Sequence, residues 1–250
     1  MEKENFCQAF INSIFEQKYI YRPMPIKQHL PNFLTLCNAA CGLICIIATL
    51  EGWGYPIILM FFAAANLFDL FDGMLARALK MSSSLGGELD SLSDAISFVC
   101  FPALLVYQSL INAPYHLKWV ALICIALGVL RLGRFNVKED HVAGYFTGLP
   151  TPAFAIFVVA INYFLSIGNT GNVNIYMLAA VYVFLAFLLN SSYPFLNFKL
   201  KELKTKYLIP RLSLLLLPII FLFYNDVLGV VIILILYRLI SIIAFKKEFN

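Results

Sequence analysis

Long apolar stretches dominate this chain and restrict the folds open to it. Eight of them are close to the length of about 20 residues that a helix needs to cross a bilayer. They cover residues 33–50, 55–79, 91–110, 117–134, 150–167, 175–191, 208–224 and 227–245. Charged residues make up 13% of the chain, against roughly 25% in soluble domains. The sequence therefore predicts an all-α integral membrane protein with about eight transmembrane helices.

The lysine and arginine residues predict how these helices are oriented. With eight spans, 16 of the 18 basic residues fall on one side of the membrane. Lys118 lies in an opposite loop, and Arg238 lies within the last span. The positive-inside rule assigns the basic side to the cytoplasm. We therefore expect a multi-pass protein of the cell inner (cytoplasmic) membrane with both termini cytoplasmic.

The N-terminal segment differs in composition from the rest. This segment covers residues 1–32. Residues 1–30 are mixed and polar, without the apolar run and cleavage site of a secretory signal peptide, so none is expected. Apolar residues within 6–30 are spaced like one face of a helix, which predicts an interfacial helix; a disordered tail is the alternative. The expected division is this cytoplasmic or interfacial segment, followed by a single transmembrane domain over residues 33–250.

Six cysteines raise the question of disulfide bonds. Five fall inside apolar stretches, and Cys37, Cys41 and Cys45 are four residues apart, which places them along one helix face. Free cysteines tend to be buried as small apolar residues. The pattern favours packing residues over a disulfide framework.

Aspartates gather where the second and third apolar stretches meet. Four of the six in the chain lie within 26 residues. Asp69 and Asp72 are three residues apart and share a helix face, and Asp90 and Asp94 are four apart on the next helix. A short connection makes the two helices antiparallel neighbours, so the four carboxylates can converge at their cytoplasmic ends.

Such a cluster predicts a divalent cation site. Uncompensated negative charges are costly near a bilayer, and Mg²⁺ commonly binds carboxylates together with substrate phosphates. Two cations can clamp a pyrophosphate, and a spare carboxylate can act as general base toward a hydroxyl. Gly73 and Ala76 leave a strip of bare helix for a ligand, and Gly86 and Gly87 do the same on the facing helix, although small residues also let membrane helices pack closely. This chemistry indicates phosphoryl-type transfer on a lipid with a charged head.

The spacing of the cluster resembles the full signature of the CDP-alcohol phosphotransferases. Eight residues match the family's pattern: Asp69, Asp72, Gly73, Ala76, Arg77, Gly86, Asp90 and Asp94. Members of this family displace CMP from a CDP-linked group, usually CDP-diacylglycerol, with an alcohol. The resemblance implies a homodimer with a six-helix core in each subunit, to which this chain adds a C-terminal pair of helices.

The resemblance also implies a role for each signature residue. Two divalent cations, Mg²⁺ or Mn²⁺, would be held by Asp69, Asp72 and Asp90 with help from Asp94, which would also be the catalytic base. The CDP-lipid would bind at Asp69, Asp72, Gly73, Ala76, Arg77 and Gly86. Gly73 and Ala76 would make room for the cytidine nucleotide.

Three further stretches are similar to the bacterial phosphatidylserine synthases of the family. They are Pro31-Asn32-x-x-Thr35-x-x-Asn38, Arg131-x-x-Arg134-Phe135-Asn136-Val137 and Phe146-Thr147-Gly148-Leu149-Pro150-Thr151-Pro152. The expected reaction is therefore transfer of the phosphatidyl group to L-serine. Arg131 and Arg134 can hold a carboxylate or phosphate in a bidentate manner, or they simply satisfy the positive-inside rule. Asn136 is a candidate for orienting the acceptor.

Other functions stay open at this point. Glycerol 3-phosphate or inositol phosphate could replace serine as the acceptor. An intramembrane prenyltransferase also uses aspartate-rich helices, and a cation-coupled transporter also carries intramembrane carboxylates, but near the bilayer midplane. The expected partners are the two substrates and membrane lipids, with no nucleic acid.

Overall fold

The structure, a computed structural model, describes residues 26–79, 84–137, 145–168, 173–191 and 194–196. Within these ranges the chain forms a helical bundle with one short β-ribbon. The elements are α1 (Ile26–Leu50), α2 (Tyr55–Ala78), α3 (Ser84–Asp94), a π-helix (Ala95–Cys100), α4 (Phe101–Ser109), a 3₁₀ turn (Leu117–Trp119), α5 (Val120–Val137), β1 (Tyr145–Thr147), α6 (Thr151–Ser166), α7 (Ile175–Leu189) and β2 (Pro194–Leu196).

Helices α1 and α2 form a tightly packed hairpin. Gly52 has φ +70° at the turn between them, a conformation that glycine adopts without steric cost. The Trp53 N–H donates to the Ala48 carbonyl at 2.8 Å and closes the end of α1. Pro56 follows in the first turn of α2, where a missing N–H costs nothing. This turn falls in the predicted break between the apolar stretches 33–50 and 55–79, whereas α1 begins at Ile26, before the predicted residue 33.

The third apolar stretch forms one continuous helix that widens into a π-helix in its middle. Helix α3 passes into the π-helix directly after Asp94, and α4 begins at Phe101. The Phe101 N–H donates to the Ile96 carbonyl, five residues back. Pro102 comes next and lacks the N–H that a regular helix would use there. The wide turn accommodates that missing donor, and apolar periodicity alone did not predict it.

The second half of the described chain contains a β-ribbon that the sequence analysis did not predict. Strands β1 and β2 pair antiparallel, with Tyr145 opposite Leu196 and Thr147 opposite Pro194. Aromatic and β-branched residues favour extended backbone, and proline is tolerated as the first residue of a strand. Beside the ribbon, Leu149 N–H donates to the Leu188 carbonyl at 2.9 Å and ties the start of α6 to the end of α7.

Helix α6 supplies the centre of the apolar core. It contacts α2, the π-helix and each of α4, α5 and α7, and Phe154, Phe157 and Val158 are almost fully buried. A helix that is apolar on nearly all sides belongs in such an enclosed position. The outer faces carry exposed large apolar side chains, including Phe33, Phe71, Leu122, Phe184 and Phe187. Apolar patches of this extent mark a surface for contact with a membrane or another protein.

Three helical segments of the described chain are long and apolar enough to cross a membrane: His29–Leu50, Tyr55–Ala78 and Leu85–Ser109. Helices α6 and α7 are apolar but shorter. The fold is thus consistent with a helical integral membrane protein. The last two predicted spans and residues 1–25 lie outside the described residues, so the number of spans and the side of the termini stay predictions.

The described cysteines fit the packing interpretation. Five of them are free thiols, and three of the five are buried: Cys41, Cys45 and Cys124. Cys7 lies outside the described residues.

Close contact between α1 and the π-helix generates a first prediction. A β-carbon at Gly42 would lie 2.8 Å from the Cα of Ser97, which is too close to the backbone of the facing helix for van der Waals contact. Gly42→Ala should therefore destabilise the protein by about 1–3 kcal/mol, the usual cost of overpacking. Thermal unfolding in detergent measures this change. Gly133→Ala is the control, since a β-carbon at Gly133 meets open space; equal stability of the two variants would contradict the close packing.

Candidate active site

The aspartates of α2 and α3 converge as the sequence predicts. Asp69, Asp72 and Asp90 each offer a carboxylate oxygen, and these oxygens all lie within 4.8 Å of one another. Asp72 is buried, with 4% of its surface exposed, and the other two are partly buried. Two antiparallel helices place the three carboxylates around one small volume.

Asp94 joins this group from one turn further along α3. Its side chain makes a hydrogen-bond contact with the Asp69 carboxyl group and interacts electrostatically with Asp90 and Asp72. Its Oδ1 atom is buried and has no hydrogen-bond partner among the described residues. A buried carboxylate oxygen without a partner is costly, which is expected where the missing partner is a ligand or a substrate proton.

The donor set fits divalent cations. Carboxylate oxygens are the ligands that Mg²⁺ and similar hard cations prefer. Three carboxylates so close together repel one another where the dielectric constant is low, and a cation between them would offset that repulsion. The unpartnered oxygen of Asp94 adds a further donor beside the three. The cluster therefore has the composition and the spacing of a metal site.

Helix α1 holds the two aspartate helices together. The Thr35 hydroxyl donates to Oδ2 of Asp72 at 2.6 Å. From α3, the Ser93 hydroxyl donates to the Thr35 carbonyl at 2.9 Å, and from the π-helix the Ser97 hydroxyl donates to the Asn38 carbonyl at 3.0 Å. The sequence analysis assigned none of these side chains to the site. Only the motif containing Thr35 and Asn38 pointed toward this stretch of the chain.

The small residues of the signature lie beside the carboxylates. A β-carbon at Gly73 would lie 3.4 Å from Nη1 of Arg77, so the exposed Arg77 guanidinium folds back over this glycine. Arg77 also interacts electrostatically with Asp72. Ala76 and Gly86 are partly buried on α2 and α3. The bare strip is therefore adjacent to the cluster and is covered by a flexible cationic side chain.

The three candidate acceptor residues on α5 face different neighbours. Arg131 is buried, with 8% of its surface exposed. Arg134 is exposed, and its Nη1 donates to Oδ1 of Asn190 at the end of α7, at 3.4 Å. Asn136 accepts a 2.9 Å hydrogen bond from the hydroxyl of Ser91, the residue after Asp90. Asn136 thus links α5 to α3 close to the aspartate cluster.

Comparison of the sequence with known proteins shows which family the chain belongs to. The model of the CDP-alcohol phosphatidyltransferase family matches residues 28–189, well over half of the chain. The chain belongs to this family. All eight signature residues and the three candidates on α5 fall inside the matched region.

Curated relatives of the chain carry related names. A CDP-diacylglycerol–serine O-phosphatidyltransferase of Mycobacterium bovis is 34% identical over 141 residues, which cover 54% of this chain and 49% of the relative. One of the same name from Bacillus subtilis is 32% identical over 152 residues, 57% of this chain and 83% of the relative. An archaetidylserine synthase of Methanothermobacter thermautotrophicus is 37% identical over 132 residues, 52% and 55% of the two chains. The chain thus spans about half the length of two of these three relatives.

The carboxylate cluster leads to a second prediction. Asp90→Asn should weaken Mn²⁺ binding by at least about 100-fold, because losing even a residue behind a metal ligand typically costs about 10–100-fold. Electron paramagnetic resonance of free Mn²⁺, titrated with full-length protein in detergent, measures this affinity. Glu88→Gln is the matched control: it removes an exposed carboxylate two residues earlier on α3. Equal loss in both variants would mean that Mn²⁺ responds to overall charge rather than to the cluster.

Proposed function

We propose that the protein transfers the phosphatidyl group of CDP-diacylglycerol to the hydroxyl of L-serine, giving phosphatidylserine and CMP. The observation that carries the reaction class is the cluster itself: three signature carboxylates within 4.8 Å and a fourth with a buried, unpartnered oxygen. Serine as the acceptor is supported by the names of the Mycobacterium bovis and Bacillus subtilis relatives.

In this proposal the cluster binds the pyrophosphate of the CDP-lipid. Asp69, Asp72 and Asp90, with Asp94, would hold two divalent cations, Mg²⁺ or Mn²⁺. Such ions, when bound, offset the negative charge that develops on the leaving CMP. Gly73, Ala76 and Gly86 leave room for the cytidine nucleotide beside the cluster. Arg77 turns from Gly73 toward the phosphates, a short movement for an exposed side chain.

Asp94 is the general base of the proposed reaction. Its Oδ1 atom has a free lone pair in a buried position, where it can accept the proton of the serine hydroxyl. The serine oxygen then forms a bond to the phosphorus that carries diacylglycerol. The bond from this phosphorus to the CMP oxygen breaks, and CMP leaves with the electron pair. The proton passes from Asp94 to water, and phosphatidylserine stays in the membrane.

Residues of α5 would contact the acceptor or its phosphate. Asn136 is supported by its contact with Ser91, directly after Asp90. The 3.4 Å hydrogen bond between Arg134 and Asn190 is long, so the guanidinium remains able to take an anionic group. Arg131, which is buried one turn earlier on the same helix, would also contact the acceptor or its phosphate. The hydrogen bond to Ser91 therefore supports Asn136 as a residue close to the reacting serine.

The setting of the reaction is also a proposal. The distribution of lysine and arginine supports an inner-membrane enzyme with its site on the cytoplasmic side, where the nucleotide-bearing lipid is accessible. All signature and α5 candidates lie within residues 33–250, in keeping with a single transmembrane catalytic domain. A homodimer surrounded by membrane lipids is the expected assembly.

Release of CMP tests the reaction. Purified protein in detergent, given CDP-diacylglycerol and Mn²⁺ or Mg²⁺, should release CMP when L-serine is added and stop when a chelator removes the metal. Glycerol 3-phosphate and inositol phosphate are offered in separate reactions. Release with either of these alone would keep the family's chemistry and reject serine as the acceptor. No release with any alcohol, from folded protein, would reject the proposed transfer.

The role of Asp94 has its own test. Asp94→Asn should lower kcat by about 10²–10⁴-fold, the usual contribution of a general base, while binding of CDP-diacylglycerol is largely retained. Turnover is followed by CMP release, and binding by titration of the CDP-lipid into the variant. Glu88→Gln serves as the control, with near wild-type values for both. Near-normal turnover of the Asp94 variant would reject Asp94 as the base.

A further inference from the structure

Thr35 stands out because it contacts the carboxylate cluster from outside the family signature. Its hydroxyl oxygen lies 2.6 Å from Oδ2 of Asp72. Both residues are buried, each with 4% of its surface exposed. The two are 37 residues apart in sequence and sit on different helices, α1 and α2. The contact is therefore a tertiary one that only the packing of these helices creates.

The chemistry of the two groups sets the direction of this hydrogen bond. A threonine hydroxyl has one proton, and an ionised carboxylate can only accept. The Thr35 oxygen also lies 3.1 Å from the Pro31 carbonyl one turn earlier on α1, so two acceptors compete for the proton. The Asp72 contact is shorter, within the 2.5–2.7 Å range typical of hydroxyl donors to carboxylates. The proton therefore goes to Asp72.

The backbone of Thr35 is fixed against the other aspartate helix as well. Ser93, next to Asp94, donates to the Thr35 carbonyl at 2.9 Å. Thr35 thus touches α2 through its side chain and α3 through its carbonyl group. It is placed to keep Asp72 in register with the carboxylates of α3.

We propose that Thr35 is a positioning residue for the metal site: its hydroxyl orients the Asp72 carboxylate and thereby sets the affinity of the cluster for a divalent cation. The inference rests on the proposed function in that it takes the cluster to be a cation site. One Asp72 oxygen carries the hydrogen bond, which leaves the other oxygen and further lone pairs for the cation. Without the hydroxyl, the carboxylate can rotate away from Asp69 and Asp90.

Four variants of the full-length protein separate the effect of the hydroxyl from the effect of side-chain shape. Thr35→Val keeps the branched shape and removes the donor, whereas Thr35→Ser keeps the donor. Thr49→Val is the matched control, since it removes a buried hydroxyl from the same helix, one that donates to the Cys45 carbonyl at 2.7 Å. Thr35→Ala provides a second donor-free variant should the valine variant fail to fold.

Mn²⁺ affinity is the primary measurement, made in detergent without substrates by electron paramagnetic resonance. Thr35→Val should bind Mn²⁺ about 10–100-fold more weakly, the usual effect of losing a partner that orients a metal ligand. Thr35→Ser and Thr49→Val should keep near wild-type affinity. In CMP release, the Mn²⁺ concentration for half-maximal rate should rise in Thr35→Val by a similar factor, with a smaller change in kcat at saturating metal.

Three results of the Mn²⁺ titrations would overturn the proposal. They are unchanged Mn²⁺ affinity in Thr35→Val, equal weakening in Thr35→Ser, and equal weakening in Thr49→Val. A loss of kcat with an unchanged metal requirement would likewise mean that Thr35 only supports the fold. Because Mn²⁺ binding is measured without substrates, an absence of serine-dependent CMP release would reject the proposed function while leaving the Thr35 test valid.

Discussion

Mutual repulsion among the clustered aspartates is the constraint on which the rest of this structure depends. Asp69, Asp72 and Asp90 bring their oxygens within 4.8 Å of one another in an apolar protein, where charges are poorly screened. Repulsion among these carboxylates alone would drive helices α2 and α3 apart. The fold must hold both helices from outside the cluster, so that a cation finds the carboxylates already assembled.

Helix α1 provides that support through polar contacts and close packing. Ser93 and Ser97 donate to consecutive turns of its backbone, at the carbonyls of Thr35 and Asn38. Gly42 lets Ser97 of the π-helix approach so closely that a β-carbon would not fit at position 42. The hydrogen bonds and the small residue act along one helix face, as is typical of helix pairs in membranes. This face continues to Thr35, which contacts the cluster directly.

Local spacing allowed the helices and the convergence of the aspartates to be predicted, because residues three and four apart share a helix face. The same reasoning could not find Thr35, since its contact with Asp72 spans 37 residues and depends on how α1 and α2 pack. It also missed the π-helix, where a regular apolar pattern hides the effect of Pro102, and the three-residue strands, which are too short for a periodic signal. The residues of α5 were predicted as a group, yet Arg134 and Asn136 contact α7 and α3 respectively.

The Ser91 hydroxyl, which links α3 to α5, has two possible hydrogen-bond acceptors. Its oxygen lies 2.9 Å from Oδ1 of Asn136 and 3.1 Å from the Gly87 carbonyl, but a hydroxyl has one proton to donate. If Asn136 turns toward an acceptor alcohol, Ser91 can transfer its hydrogen bond to Gly87 and no donor is left unsatisfied. Both hydrogen bonds of Ser91 are exposed, so the exchange leaves no buried group without a partner. In the proposed reaction, Asn136 is therefore free to contact serine while the residues beside Asp90 keep their positions.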